Sequence, residues 1–136
     1  MNAVKQALYN KLTGGTALTA LLAGTASVYD NIAPRGGTFD YVIFGLQGGG
    51  DENICPIRFK NFVWSVKGVS ETSAQKAGQI DEQIDDLLHE QALTVTGWGV
   101  FGVTRIADFD YVETTPEGRN IWHDGGNYRI RMDENL

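Results

Sequence analysis

Val4, Ala7, Leu8 and Leu12 fall on one face of residues 2–12, with Lys5, Gln6 and Lys11 turned away. That spacing predicts an amphipathic helix, which Gly14-Gly15 stops. Thr16 stands where a cap would open a second short helix through Leu18, Leu21 and Leu22, closed by Gly24. From Val28 the pattern turns extended. Val28–Ile32 predicts a short strand, Pro34-Arg35-Gly36-Gly37 a turn, and Phe39–Leu46 a strand of β-branched and aromatic residues. Gly48-Gly49-Gly50-Asp51-Glu52 has the composition of a mobile loop. Ile57–Lys67 carries the strongest strand signal. Arg58 and Lys60 alternate with Ile57 and Phe59, while Phe62, Trp64 and Val66 take the other parity. A bulge near Asn61, or cover on both faces near the strand's end, is therefore expected.

Ser70–Gln91 predicts the long helix, with Ser70 or Thr72 as its cap. Ala74, Ala77, Ile80, Ile84, Leu87, Leu88 and Gln91 form its apolar stripe. Ala74, Ala77 and Gly78 are small enough to bring it close to a sheet. Leu93–Trp98 is a short strand or edge ending in a Gly-Trp-Gly corner. Val100–Glu113 alternates, with Phe101, Val103, Arg105, Ala107, Phe109 and Tyr111 on one parity. A turn at Thr114–Gly118 leads to the last strand, Ile121–His123 and Tyr128–Met132, interrupted at Asp124-Gly125-Gly126-Asn127. Arg129 and Arg131 share one parity there, opposite Tyr128, Ile130 and Met132. The expected fold class is α+β: an antiparallel β-sheet packed against one long helix, with N-terminal helices, in a single domain over 1–136.

Composition narrows the function classes. With 42% hydrophobic and 21% charged residues the chain is globular rather than disordered. The single cysteine, Cys55, excludes an internal disulfide and fits a reducing compartment or a particle assembled in one. No apolar run reaches the roughly 18 residues of a membrane-spanning helix, so no membrane partner is expected. Thr16–Ala26 has some likeness to a signal-peptide core, but polar residues with helical periodicity precede it, and no cleaved signal is expected. The net charge is −6, and most of it lies within 71–90, where six acids face only Lys76. Lys and Arg are scattered apart from the pairs Arg58/Lys60 and Arg129/Arg131. A wrapped nucleic acid would need a concentrated positive surface. An acidic wall instead suits DNA that slides past without sticking.

No residue set points to catalysis. His89, at the end of an acidic helix, is expected to be solvated there, and His123 to be structural or at an interface. Neither has a partner at metal-ligand spacing. Cys55-Pro56 has no neighbour that would lower a thiol pKa. Gly48-Gly49-Gly50 lacks the Gly-Lys-Ser/Thr ending of a phosphate loop, and Asp51-Glu52 has the wrong sign for an anion. These observations leave interface roles. Gly48, Gly49, Gly50, Asp51 and Glu52 would be a flexible tip, or an arm disordered in the free subunit over Gly48–Asn53 and ordered by a neighbour. Trp98 is divided between core and interface. Arg129 and Arg131 are candidate contacts for a partner. Asp81, Glu82, Asp85 and Asp86 lie off the apolar stripe, with Asp81/Asp85 and Glu82/Asp86 at i,i+4, where like charges repel. A solvated face explains them, as does a lumen or a seam between subunits. No cofactor or metal is expected.

The order of these features carries a resemblance along almost the whole chain. It runs through Ala7-Leu8-Tyr9-Asn10-Lys11-Leu12-Thr13, Ala17-Leu18-Thr19-Ala20-Leu21-Leu22, Val28-Tyr29-Asp30, the Pro34 turn and Tyr41-Val42-Ile43-Phe44-Gly45. It continues with Val63-Trp64-Ser65, the helix Ala77…Ile80…Ile84…Leu88, Arg105, and Trp122-His123…Tyr128-Arg129-Ile130. This pattern resembles the tail-completion or tail-terminator proteins of long-tailed bacteriophages, which gene transfer agents also carry. Asp40 stands where the family often has Pro, and Gly125-Gly126 interrupts the usual compact last strand. The resemblance implies a virion structural protein, assembled in the bacterial host cytoplasm. It would be a homohexameric ring on the head-proximal end of the tail tube that stops tube polymerisation and leaves a DNA channel. Its implied partners are further copies of the chain, the tail tube protein and a neck or head-completion protein. DNA would pass without sequence-specific binding. A neck adaptor on the portal side is the alternative.

Overall fold

The computed structural model describes residues 1–52 and 58–134. Cys55, Pro56, Ile57 and Asn53 lie outside them. The element order is α1 (Asn2–Thr13), α2 (Thr16–Thr19), β1 (Val28–Asp30), β2 (Tyr41–Asp51), β3 (Phe59–Ser70), α3 (Ala74–Leu88), β4 (Trp98–Thr114) and β5 (Asn120–Glu134). The class is α+β. Five strands form one sheet in the order β1-β2-β3-β5-β4. The sheet is mixed rather than wholly antiparallel, because β1 runs parallel to β2, pairing Val28 with Val42 and Asp30 with Phe44. The chain between them is long enough to carry β2 back to the start of its neighbour, which a tight hairpin cannot do.

All three helices gather on one face of the sheet. Val4, Leu8 and Leu12 of α1, Leu18 of α2 and Ile80, Ile84 and Leu88 of α3 share one buried cluster with Phe44, Phe62, Trp64, Val66, Tyr128 and Ile130. α3 comes very close to β3. A Cβ on Gly68 would stand 2.5 Å from Ile80 Cγ2, so the small residue that permits the approach lies on the sheet as well as at Ala77 on the helix. α3 is shorter than Ser70–Gln91. Ser70 ends β3 and accepts the Thr72 N–H, while Ser73 caps the helix by accepting the Lys76 N–H at 3.0 Å. At the start of the chain, Gly15 is the cap of α2 and Thr16 its first residue.

The glycine segment is strand, not loop. Gly48, Gly49, Gly50 and Asp51 pair with Val63, Phe62, Asn61 and Lys60 of β3. A β-ladder joins backbone groups and needs no side chain, so a composition typical of loops did not prevent pairing. Gly49 has φ 105°, and a Cβ there would run into the Asn61 carbonyl; glycine is required at that residue. Asp51 then holds the end of β2, with its Oδ1 2.6 Å from Lys60 Nζ and its Oδ2 3.0 Å from Arg58 Nη2. Asn61 Nδ2 donates to Glu52 Oε1 at 2.9 Å. The register shift lies between Leu46 and Gly48 of β2, while β3 pairs with β5 without interruption from Phe59 to Ser70. The change of parity in β3 therefore reflects an apolar residue on its far face, where Phe59 packs against Phe101.

β5 is also continuous. Asp124, Gly125, Gly126 and Asn127 pair with β3 on one side and β4 on the other. A Cβ on Gly125 would stand 2.5 Å from Lys67 Cβ, and one on Gly126 would stand 2.5 Å from the Arg105 guanidinium. In sequence these glycines signal a break, but here they make room for neighbours within a central strand. Leu93–Trp98 forms only an isolated bridge between Val95 and Trp98. Register shifts at Val100/Gly102 and Arg105/Ala107 break the single parity expected of β4. Val103 and Arg105 face the helices, whereas Phe109 and Tyr111 face away.

Candidate functional site

Two surfaces carry the polar chemistry: a cluster under α3 and the uncovered sheet face. The cluster centres on Arg105, whose side chain β4 directs toward the helix layer. Arg105 Nη1 and Nη2 donate to Asp81 Oδ1 and Oδ2, both at 2.9 Å, a fork geometry that fits a carboxylate. Nε donates to Asp108 at 2.6 Å, Nη2 to the Gly125 carbonyl at 3.0 Å and Nη1 to Tyr128 Oη at 2.9 Å. Tyr128 passes its own proton toward Asp85 Oδ1 at 3.0 Å. The Arg105 backbone N–H donates to His89 Nδ1 at 3.1 Å, so His89 tethers the end of α3 to β4 rather than standing free in solvent. Burial works against the Arg105 charge, but the bonds to Asp81, Asp108 and Tyr128 outweigh it and raise its pKa. Burial likewise raises the Tyr128 pKa, although Arg105 pulls the other way.

Asp124 borders this cluster from β5. Burial, then the charges of Asp81 and Asp110, push its pKa up to about 6, with Arg105 opposing. The carboxyl therefore binds its proton more tightly folded than unfolded. Its stabilising contribution is complete below about pH 4 and is lost as pH rises through about 6. Asp124→Asn is expected to remove that dependence and to stabilise the protein above pH 6. Solvent screening at this partly exposed position holds the gain to about 1 kcal/mol. Urea denaturation at pH 5 and pH 8 checks it; equal stability of the two proteins at pH 8 would refute the assignment.

The second surface is the sheet face opposite the helices. Odd-numbered residues of β3 and β5 point there; Val69, Ile121 and His123 are buried toward one end of the face, whereas the end that carries Arg129 and Arg131 is open. Arg129 and Arg131 stand exposed on it, in register with Thr104 and Gly102 on β4 and with Val63 and Asn61 on β3. Gly48 and Gly50 continue the same two cross-strand rows on β2. Phe101, 66% exposed, and Ile106 border the arginines. Together with Gly102 and Thr104 they line a groove of about 320 Å³. Farther along the face, buried His123 stacks on Tyr111 at 4.4 Å and its Nε2 lies 2.8 Å from Glu113. Burial lowers the His123 pKa against the raising effect of that carboxylate.

The structure divides the acids that the sequence groups together. Asp81 and Asp85 turn inward to Arg105 and Tyr128, whereas Glu82 and Asp86 are exposed. Gly48, Gly50, Arg129 and Arg131 meet on the uncovered face. Trp98 opens β4 at the far end of the helix side, half-buried against the core, with Lys60 Nζ 5.8 Å from its ring. Beyond its place in the β4 alternation, Arg105 is marked in the sequence by the family pattern alone. Its position on the same parity as Val103, together with acids at i,i+4 on the preceding helix, was the available signal. Among the described residues no group of three His, Cys, Asp or Glu side chains is placed to hold a metal ion.

The model of the family described as tail completion protein gp17 matches residues 6–133. A solved structure described as the virion of a native gene transfer agent particle contains a chain of the same fold, with a TM-score of 0.76 and 21% identity. The match covers 97% of this chain and 96% of that one. No curated protein matches.

Proposed function

From the premise that this chain belongs to the tail completion protein gp17 family, we propose that it is a virion structural protein ending the tail tube at its head-proximal side. In this reading several copies, six by the family resemblance, form a ring around the DNA channel. One rim contacts the last ring of tail tube protein and stops its polymerisation. The other contacts a neck or head-completion protein. The family match along nearly the whole chain carries the proposal, and the shared fold of a chain from a gene transfer agent virion supports it. The two surfaces of this chain suit a subunit that makes contacts on opposite sides: a helix layer with an exposed acidic row, and an uncovered sheet face with exposed aromatic and basic residues.

Purified chain added to polymerising tail tube protein is expected to shorten the tubes in proportion to its concentration and to appear at one end of each. In lysates it is expected to co-purify with tails made without heads. Recovery with heads made without tails, and no effect on tube length, would reject tube capping and favour the neck adaptor.

A further inference from the structure

We propose that Arg129 and Arg131 on the uncovered sheet face dock onto Glu82 and Asp86 of α3 in a second copy of this chain, joining copies head to tail. The inference deepens the ring reading and rests on its premise that copies assemble.

Both pairs are exposed, and among the described residues neither has an ion-pair partner within the chain, whereas Asp81, Asp85 and Asp108 are engaged by Arg105. Their spacings agree. Residues at i,i+4 on a helix are separated by about 6 Å along its axis. Residues at i,i+2 on a strand are about 6.7 Å apart on one face. Two arginines in a row can therefore meet two carboxylates in a row.

The two patches also lie on opposite sides of the subunit, since α3 covers one face of the sheet and the arginines stand on the other. Such a contact is heterologous. It cannot close as a two-fold dimer and propagates to a ring or a filament. The sheet face has room for the incoming helix. Cβ atoms added at Gly48, Gly50 or Gly102 would meet nothing within 4 Å, so no packing within the described residues requires glycine there. A helix laid across those rows does benefit from bare backbone. The opposed charges set the register of that contact.

The experiment is a charge swap read by the mass of the purified full-length chain in solution. All four residues are exposed, so each variant is expected to fold, which circular dichroism checks. Arg129→Glu with Arg131→Glu, and separately Glu82→Lys with Asp86→Lys, are each expected to raise the concentration for half-assembly roughly tenfold or more. Combining all four changes is expected to restore assembly. Mixing the two double variants is expected to do the same, because each then offers the surface the other lacks. Wild-type assembly is expected to weaken as salt rises.

Assembly unaffected by the arginine reversals, a loss that neither the combination nor the mixture rescues, or a wild-type chain that stays monomeric at low salt would each overturn the proposal. Unchanged assembly with weaker retention of duplex DNA would assign the arginine face to the nucleic acid instead. Tube capping is scored in the same samples. Capping by a chain that lacks this contact would overturn the present inference alone, whereas rings that form through it without capping tubes would overturn only the proposed function.

Discussion

Replacing Arg105 by alanine is expected to lower the unfolding free energy by about 3–5 kcal/mol, the range for stranding one partner of a buried ion pair. The side chains of Arg105 and Asp81 are each only 13% exposed and meet through two parallel hydrogen bonds of 2.9 Å. Without the guanidinium, Asp81 stays under α3 with Asp85 and Asp124 nearby, and the Gly125 carbonyl and Tyr128 hydroxyl each lose a hydrogen bond. Gly126, which makes room for the guanidinium, would border a void. Arg105→Lys should recover little, since a single ammonium cannot form the paired bonds. Arg105→Met combined with Asp81→Leu should recover most of the loss, because the uncompensated charge is removed along with its partner. Urea denaturation reads all three variants. A loss below 1 kcal/mol for Arg105→Ala would show that the cluster is open to water and that α3 is held by its apolar stripe alone.

Ile84→Ala is expected to cost about 2–5 kcal/mol, the loss of transfer free energy plus the cavity left behind. Ile84 is fully buried and sits between Ile80 and Leu88 on the face that α3 turns to Trp64, Tyr128 and Ile130. The helices pack on one side of the sheet only, so the cavity would open in the centre of the sole helix–sheet interface among the described residues. Ile84→Val should cost about 0.5–1.5 kcal/mol. The measurement is again chemical denaturation, and a loss under half a kcal/mol would place α3 on the wrong face. Arg105→Ala strands Asp81, which lies on α3 one turn before Ile84, so the combined effect of Arg105→Ala and Ile84→Ala should depart from additivity.

Much of this architecture was legible in the chain itself. The stripe from Ala77 through Ile80 and Ile84 to Leu88 faces the sheet, and Val4, Ala7, Leu8 and Leu12 bury the face of α1 that their spacing indicates. Arg129 and Arg131 lie opposite Tyr128, Ile130 and Met132, as alternation requires. These features follow from local periodicity, because which side of a helix or strand is apolar depends only on residues a few positions apart. The family, too, was readable from the order of motifs.

Tertiary structure alone decided the rest, wherever the answer depended on a residue distant in sequence. Gly48–Asp51 became strand because β3 offered a ladder, and Gly125-Gly126 stayed within β5 because Lys67 and Arg105 occupy the space a side chain would fill. Two register shifts in β4 turned Arg105 inward and Phe109 and Tyr111 outward, which strict alternation does not foresee. So placed, Arg105 pairs with Asp81 and reaches Asp85 through Tyr128, while Glu82 and Asp86, one residue farther round α3, remain on the surface. Charge and period are properties of the sequence, but which charges meet is set by long-range pairing and burial, and desolvation then decides which acids must find a cation.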